Sequence, residues 1–265
     1  MPSYLITGAG RGLGYAFLKQ LAADPDNIII GMVRNKGAAA QKLKNDGVSN
    51  VHLVDGDITS LRELSSAVEE VARITNGSLD VLVNNAAYVS DKTRAKTLLD
   101  SSDEELEEDL MRSFQVNVVG VAHTIRAFLP LLRAGRLKKV ITISTGIADI
   151  DMIREAGLAV AGPYGISKAA TNALVAKFHA AIGVSEGVLF LAISPGFVDT
   201  SEEGSTPEKA KGRALMAAKF RRFAPDMVDM TPSQSVEMVL RVVQDATVET
   251  HGGMFVSHFG TKQWL

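Results

Sequence analysis

Short runs of apolar, often β-branched residues alternate along the chain with longer stretches whose apolar positions recur every three or four residues. The short runs fall at residues 4–7, 28–33, 51–54, 81–83, 140–143, 188–193 and 254–256. Most lack the in-and-out alternation of a half-exposed strand, as strands covered on both faces should. Helical patterns lie between them, among others at 12–23, 60–74, 103–132, 164–182 and 233–245. Strand and helix in turn predict repeated βαβ units. The expected fold class is α/β: one seven-stranded, mainly parallel sheet, doubly wound by helices on both faces. Ser102 three residues before Glu105 reads as a capping box, so the acidic run there is helix-start chemistry. The segment 201–229 breaks the rhythm with Gly204, Pro207, Gly212 and Pro225 around a short helical pattern, and is expected to be a mobile flap over a substrate. With no repeat and no linker, residues 1–265 are expected to form a single domain.

Composition narrows the function classes. In 265 residues, 46% are hydrophobic and 22% charged, the balance of an ordinary globular chain. A net charge of −2 gives no field to attract nucleic acid or an anionic membrane, so neither is expected as a partner. With no cysteine, thiol nucleophiles and thiolate metal sites are excluded. The first strand begins almost at Met1, so no signal peptide is expected. Arg126, Arg133 and Glu186 interrupt the most apolar stretches, so no membrane span is expected either, and a cytoplasmic location is the default. The histidines are scattered singly, and no metal site is expected.

Candidate chemistry starts after the first strand, where Thr7-Gly8-Ala9-Gly10-Arg11-Gly12-Leu13-Gly14 opens the first helix. Glycines there let backbone N–H groups approach a pyrophosphate at the positive end of the helix. The order T-G-x-x-x-G-x-G resembles the loop of the short-chain dehydrogenase/reductase family, and Asn84-Asn85-Ala86-Ala87 resembles that family's N-N-A-G. The resemblance spans the chain and implies a Rossmann-type fold with a nicotinamide cofactor held by Gly8, Arg11, Gly12, Leu13, Gly14, Asn85, Ala86 and Ala87. It also implies adenine contacts from Asp57 and Ile58. NAD enzymes of this architecture usually carry an acid at the end of the second strand. Here the strand ends Val33-Arg34-Asn35, and Arg34 with Arg11 offers guanidinium groups to a 2′-phosphate, which favours NADP(H).

Tyr164-Gly165-Ile166-Ser167-Lys168 puts a phenol and an ammonium on one helix face at i, i+4. A neighbouring cation is expected to lower the phenol pKa toward the working range. By the resemblance, Tyr164 and Lys168 are catalytic, and Lys168 also holds the nicotinamide ribose. Asn117 would support a proton path behind it, and a hydroxyl after the fifth strand would polarise the substrate carbonyl. That strand ends Ile143-Ser144-Thr145, where relatives commonly have Ser-Ser, leaving Thr145 as the first choice and Ser144 as the reserve. The gap from Thr145 to Tyr164 is longer than in most relatives, and the added residues around 149–154 are expected to form a substrate-side loop. Asp149 and Asp151 read as solvated loop acids. After the sixth strand, Ser194-Pro195-Gly196-Phe197-Val198-Asp199-Thr200 is similar to the family's P-G-x-V-x-T, implying cofactor contacts from Pro195, Gly196, Val198 and Thr200.

Arg34-Asn35, the lengthened gap and the late Thr231–Ser235 helix start look like sniffer-type carbonyl reductases and fungal ketoreductases. The expected reaction is NADPH-dependent reduction of a ketone or aldehyde. The alternatives are a non-catalytic NADP(H)-binding sensor or an NADP-dependent alcohol dehydrogenase working oxidatively. Met152, Ile153, Leu158, Phe197, Met216 and Phe220 suggest an apolar pocket, and relatives imply a homodimer or homotetramer.

Overall fold

The protein was analysed as a computed structural model that describes residues 1–200 and 207–264, with residues 207–209 and 211 described in backbone only. The strands are β1 Ser3–Thr7, β2 Ile28–Val33, β3 Val51–Asp55, β4 Val81–Asn84, β5 Lys139–Ile143, β6 Leu189–Ser194 and β7 Phe255–Ser257. They form one sheet in the order β3-β2-β1-β4-β5-β6-β7, and every pairing is parallel. The fold is therefore of the doubly wound Rossmann type, with the whole sheet parallel where a mainly parallel one was expected.

Strand periodicity decides which face each residue serves. Ile6, Ile141, Leu191 and Ile193 pack on one side against α1 (Gly12–Leu21), α2 (Lys36–Asn45) and α10 (Pro232–Asp245) through Phe17, Leu43 and Val239. Leu5, Val140, Phe190 and Ala192 pack on the other against α3 (Leu61–Ile74), α5 (Val121–Ala134) and α7 (Gly162–Phe178) through Val71, Phe128 and Val175. Both faces are covered, which explains the unalternated strands. A third apolar cluster, including Ile147, Met152, Phe220 and Trp264, lies apart from these two.

The long helix expected at 103–132 is two α-helices joined by a wider turn. α4 (Asp103–Phe114) runs through a π-helical segment, Gln115–Gly120, into α5. By length and composition the 32 residues of Asp103–Ala134 could cross a membrane, contrary to the expectation drawn from Arg126 and Arg133. Ile125, Phe128 and Leu132 are instead fully buried against the sheet, as in the core helix of an α/β layer.

Two further expectations change. The segment expected to be a loop around 149–154 is α6 (Ile150–Ala156): Asp149 caps it by accepting from Met152 N–H, and Gly157 ends it in the left-handed conformation. Of the segment 201–229, residues 201–206 lie outside the described residues. Beyond them, and after the single turn α8 (Val184–Glu186) that precedes β6, the chain forms α9 (Pro207–Phe223), a helix of 17 residues where only a short helical pattern was expected.

Candidate active site

The chain order reverses between β1 and β4, because β2 and β3 extend the sheet one way from β1 and β4–β7 the other. In open α/β sheets the crevice at the carboxyl ends of strands flanking such a reversal is the natural ligand site. The glycine loop, the 84–87 motif and the end of β5 all converge there.

Thr7 organises the loop. Its Oγ1 accepts from the backbone N–H groups of Asn85 and Ala86, both at 3.0 Å. Asn85 returns the contact, donating Nδ2 to the carbonyls of Thr7 at 2.9 Å and Gly8 at 3.2 Å. Asn85 thus shapes the glycine loop with its side chain. Gly8 has φ +65°, and a Cβ there would stand 2.8 Å from Ala86 Cα, so the close approach of β1 and β4 requires glycine.

The first turn of α1 contains no acidic residue, and Arg11 at its N-cap makes no side-chain capping hydrogen bond. That helix end is left open to an anion. Thr200 stands beside Gly12, within 3.6 Å of where a Cβ would lie. Arg11 and Arg34 are both exposed, and no carboxylate ends β2. Asn35 is committed to capping α2 through Ala38 N–H. Asp57 accepts from the backbone and hydroxyl of Thr59 at 2.8 and 2.7 Å. These bonds, with the charges of Arg34 and Arg112, hold its carboxyl below its usual pKa against the opposing effect of burial. Ile58 is buried against Gly120. This donor set fits a dinucleotide: bare backbone and a helix terminus for pyrophosphate, arginines for added phosphate, and a carboxylate for an adenine amino group.

At the other end of the crevice, Pro163 in the first turn of α7 starts the helix that carries Tyr164 and Lys168. Lys168 is buried, and its Nζ donates to the Ile143 carbonyl at 2.7 Å while lying 6.0 Å from the centre of the Tyr164 ring. Burial pushes the Lys168 ammonium down to about 8. Burial also pushes the Tyr164 phenol up to about 12, and the cation that pulls it back is Arg94. The lowering expected from Lys168 is not found: burial dominates, and Arg94 supplies the opposing charge. A protonated phenol at neutral pH is a proton donor.

Asn117 lies in the π turn with its side chain fully committed. It accepts from Tyr88 N–H at 2.7 Å and donates to the Tyr88 carbonyl at 3.0 Å and to Ser167 Oγ at 2.9 Å. Its own carbonyl accepts from Thr171. Asn117 therefore fixes the 88 segment and α7 to one another. π turns inserted in α-helices recur at functional sites.

Thr145 and Tyr164 line one cleft of about 230 Å³ with Gly146, Gly196, Val198 and Thr200. Ser144 does not line it; its Oγ donates to Asn172 Oδ1 at 2.6 Å. Gly196 has φ +81°, and a Cβ there would collide with Met230 and His258. The Pro195 carbonyl accepts from Ser235 Oγ and the Val198 carbonyl from Arg213, so these backbone positions are held in place.

Comparison with known proteins decides the family. The short chain dehydrogenase family model matches residues 3–211. The chain belongs to the short-chain dehydrogenase/reductase family. It is 52% identical over 266 residues to the short-chain dehydrogenase/reductase AacuF of Aspergillus aculeatus, covering all of both chains. It is 32% identical to the norsolorinic acid ketoreductase of Dothistroma septosporum, covering 97% of this chain and 89% of that one. Among solved structures, the NADPH-bound carbonyl reductase from chicken fatty liver shares the fold at a TM-score of 0.77 and 24% identity, over 98% of each chain. The carbonyl reductase Sniffer of D. melanogaster does so at 0.75 and 22%, again over 98% of each.

The substrate side of this short-chain dehydrogenase/reductase was only partly foreseen. Met152, Phe197, Met216 and Phe220 line the cleft as expected, with Phe197 and Phe220 edge to face at 5.3 Å. Ile153 is exposed on α6, and Leu158 is packed in the third cluster outside the lining. Val89, Arg94, Arg213 and Trp264 also line the cleft and were missed. Trp264, stacked on Phe255 at 4.4 Å, carried one signal: it is the chain's single tryptophan, near its end. Arg94 and Arg213 carried none, because they sit among other charged residues in segments without a motif.

Proposed function

We propose that this protein reduces a ketone or aldehyde to an alcohol at the expense of NADPH. The observation that carries the reading is that the Tyr164 phenol and the Thr145 hydroxyl line one apolar cleft, with Lys168 four residues on along the same helix. The relative named a ketoreductase and the fold neighbour named an NADPH-bound carbonyl reductase support it. So does Arg34, exposed at the end of β2 where an NAD enzyme would carry an acid, with Arg11 exposed at the start of α1.

When bound, the reduced nicotinamide supplies the hydride. The glycine loop and the open end of α1 would hold the cofactor's pyrophosphate, and Arg34 with Arg11 would hold its 2′-phosphate. Thr145 and Tyr164 donate hydrogen bonds to the carbonyl oxygen, which polarises it and aligns its carbon. Tyr164 gives its proton to the oxygen as negative charge develops there. The Lys168 ammonium then stabilises the phenolate, and its buried position keeps that interaction strong. Asn117 acts by holding α7 in register. The aromatic and thioether walls exclude water.

The test is loss of reduced-nicotinamide absorbance over a panel of ketones, quinones and aldehydes, with Tyr164→Phe beside the wild type. Turnover that the Phe variant loses by about 10²- to 10⁴-fold is expected. Equal turnover by both, or NADPH binding with no turnover on any carbonyl, overturns the reading.

A further inference from the structure

Two arginines line the cleft, and they differ in what they have to bond. Arg213 is occupied. Its guanidinium donates to the Val198 carbonyl at 3.0 Å, pairs with Asp229 at 3.2 Å and Asp199 at 3.5 Å, and lies 4.3 Å over the Phe197 ring. Arg94 has one ion pair among the described residues, to Asp91 at 3.8 Å. Its Nε is buried with no hydrogen-bond partner among the described residues. A buried donor left unpaired costs stability, and a guanidinium is costlier than a neutral group.

The segment carrying Arg94 is built to hold it there. Thr93 Oγ1 donates to the buried carboxylate of Asp109 on α4. Lys96 pairs with Glu105 at 2.6 Å, and Arg94 N–H donates to the Ser90 carbonyl at 3.2 Å. Thr97 bridges Val160 on the segment leading into α7. On α9, Gly212 lies beside the Arg94 stem: a Cβ there would stand 3.5 Å from Arg94 Cγ, in ordinary van der Waals contact. The segment is thus held beside the cleft that Arg94 lines, near enough to Tyr164 for the guanidinium charge to act on the phenol. None of the described residues lining the cleft is acidic, and its walls are Ile147, Met152, Phe197, Met216, Phe220 and Trp264.

We propose that Arg94 is a specificity-determining residue that binds a delocalised oxyanion, a carboxylate or an acidic enolate, on an apolar substrate whose ketone faces Tyr164 and Thr145. This rests on the carbonyl-reducing reading of the same cleft. A planar guanidinium suits a planar oxyanion, and the apolar walls accept the rest of the molecule.

Two measurements test it. The first needs no turnover: titration calorimetry of the NADP-loaded protein with an aromatic carboxylate, with an aromatic 1,3-diketone enolate, and with their neutral amide and O-methyl counterparts. At least one anion should bind about 10- to 100-fold more tightly than its neutral counterpart, and Arg94→Met should abolish the difference. Which anion is preferred identifies the group. Arg94→Lys, keeping the charge and losing the fork, should restore part of it.

The second compares kcat/KM for a keto acid with that for its methyl ester. The acid-to-ester ratio should fall by a similar factor in Arg94→Met. No anion preference in the wild type, a preference that survives Arg94→Met, or a rise in the KM for NADPH in place of the ratio change overturns the proposal. If the anion preference is found while no carbonyl is turned over, the Arg94 site stands and the reductase reading falls. Turnover with no anion preference gives the reverse.

Discussion

The hydroxyl of Ser144 is donated at 2.6 Å to Asn172 Oδ1, while Thr145, the next residue, lines the cleft with Tyr164. Adjacent residues at a strand end point to opposite sides, so only one of the two can serve a substrate. Thr145→Val, which keeps the shape and removes the donor, should lower kcat/KM for a ketone by about 10²-fold or more. Thr145→Ser should retain most of it. Ser144→Ala should leave kcat/KM within a few-fold and cost about 1 kcal/mol of stability, read as a lower denaturant midpoint. The opposite pattern would make Ser144 the reacting hydroxyl.

The pH profile should report Lys168. Burial sets its ammonium near 8 and the Tyr164 phenol near 12. As pH rises through about 8 the lysine cation is lost while the phenol keeps its proton. The kcat/KM for NADPH, which reflects the free enzyme, should therefore be flat below about pH 8 and fall above it. Lys168→Met should remove the break and lower the plateau. A break that persists in that variant would belong to another group.

Arg34 is exposed at the end of β2 with no acid beside it on that strand. Arg34→Asp should raise the KM for NADPH by about 10- to 100-fold and lower that for NADH, since a carboxylate repels the 2′-phosphate and bonds the ribose hydroxyls. Equal use of NADH and NADPH by the wild type would defeat the 2′-phosphate assignment.

Thr7 offers a test of the loop. Thr7→Val leaves the Asn85 and Ala86 N–H groups without the oxygen they share. The variant should lose about 1–3 kcal/mol of stability in denaturant unfolding and bind NADPH more weakly. Unchanged stability would mean that the two N–H groups find water in its place.

Much of this was legible in the chain because it is local. Strand runs buried on both faces, the Tyr164–Lys168 spacing and the glycine loop are short-range patterns fixed by backbone geometry. The misses have local causes as well. Asp149 and Gly157 are the N-cap and terminating glycine of α6, a signal passed over when the segment was read as an insertion. The π turn at Gln115–Gly120 has no sequence signature, so Asn117 could be placed on a helix without its wider turn being seen.

The sequence by itself determined the alternating α/β plan, the helix that pairs Tyr164 with Lys168, and an open phosphate loop with basic residues where an acid would select NAD. Tertiary structure alone decided the all-parallel sheet order, which of Ser144 and Thr145 faces the cleft, the direction in which the Tyr164 phenol is shifted, and the meeting of Arg94 with the cleft. The first group depends on neighbours a few residues apart, where spacing fixes geometry. The second depends on burial and on contacts between segments far apart in the chain. Desolvation of Tyr164 and Lys168 and the burial of Arg94 Nε arise only once those segments have closed over them.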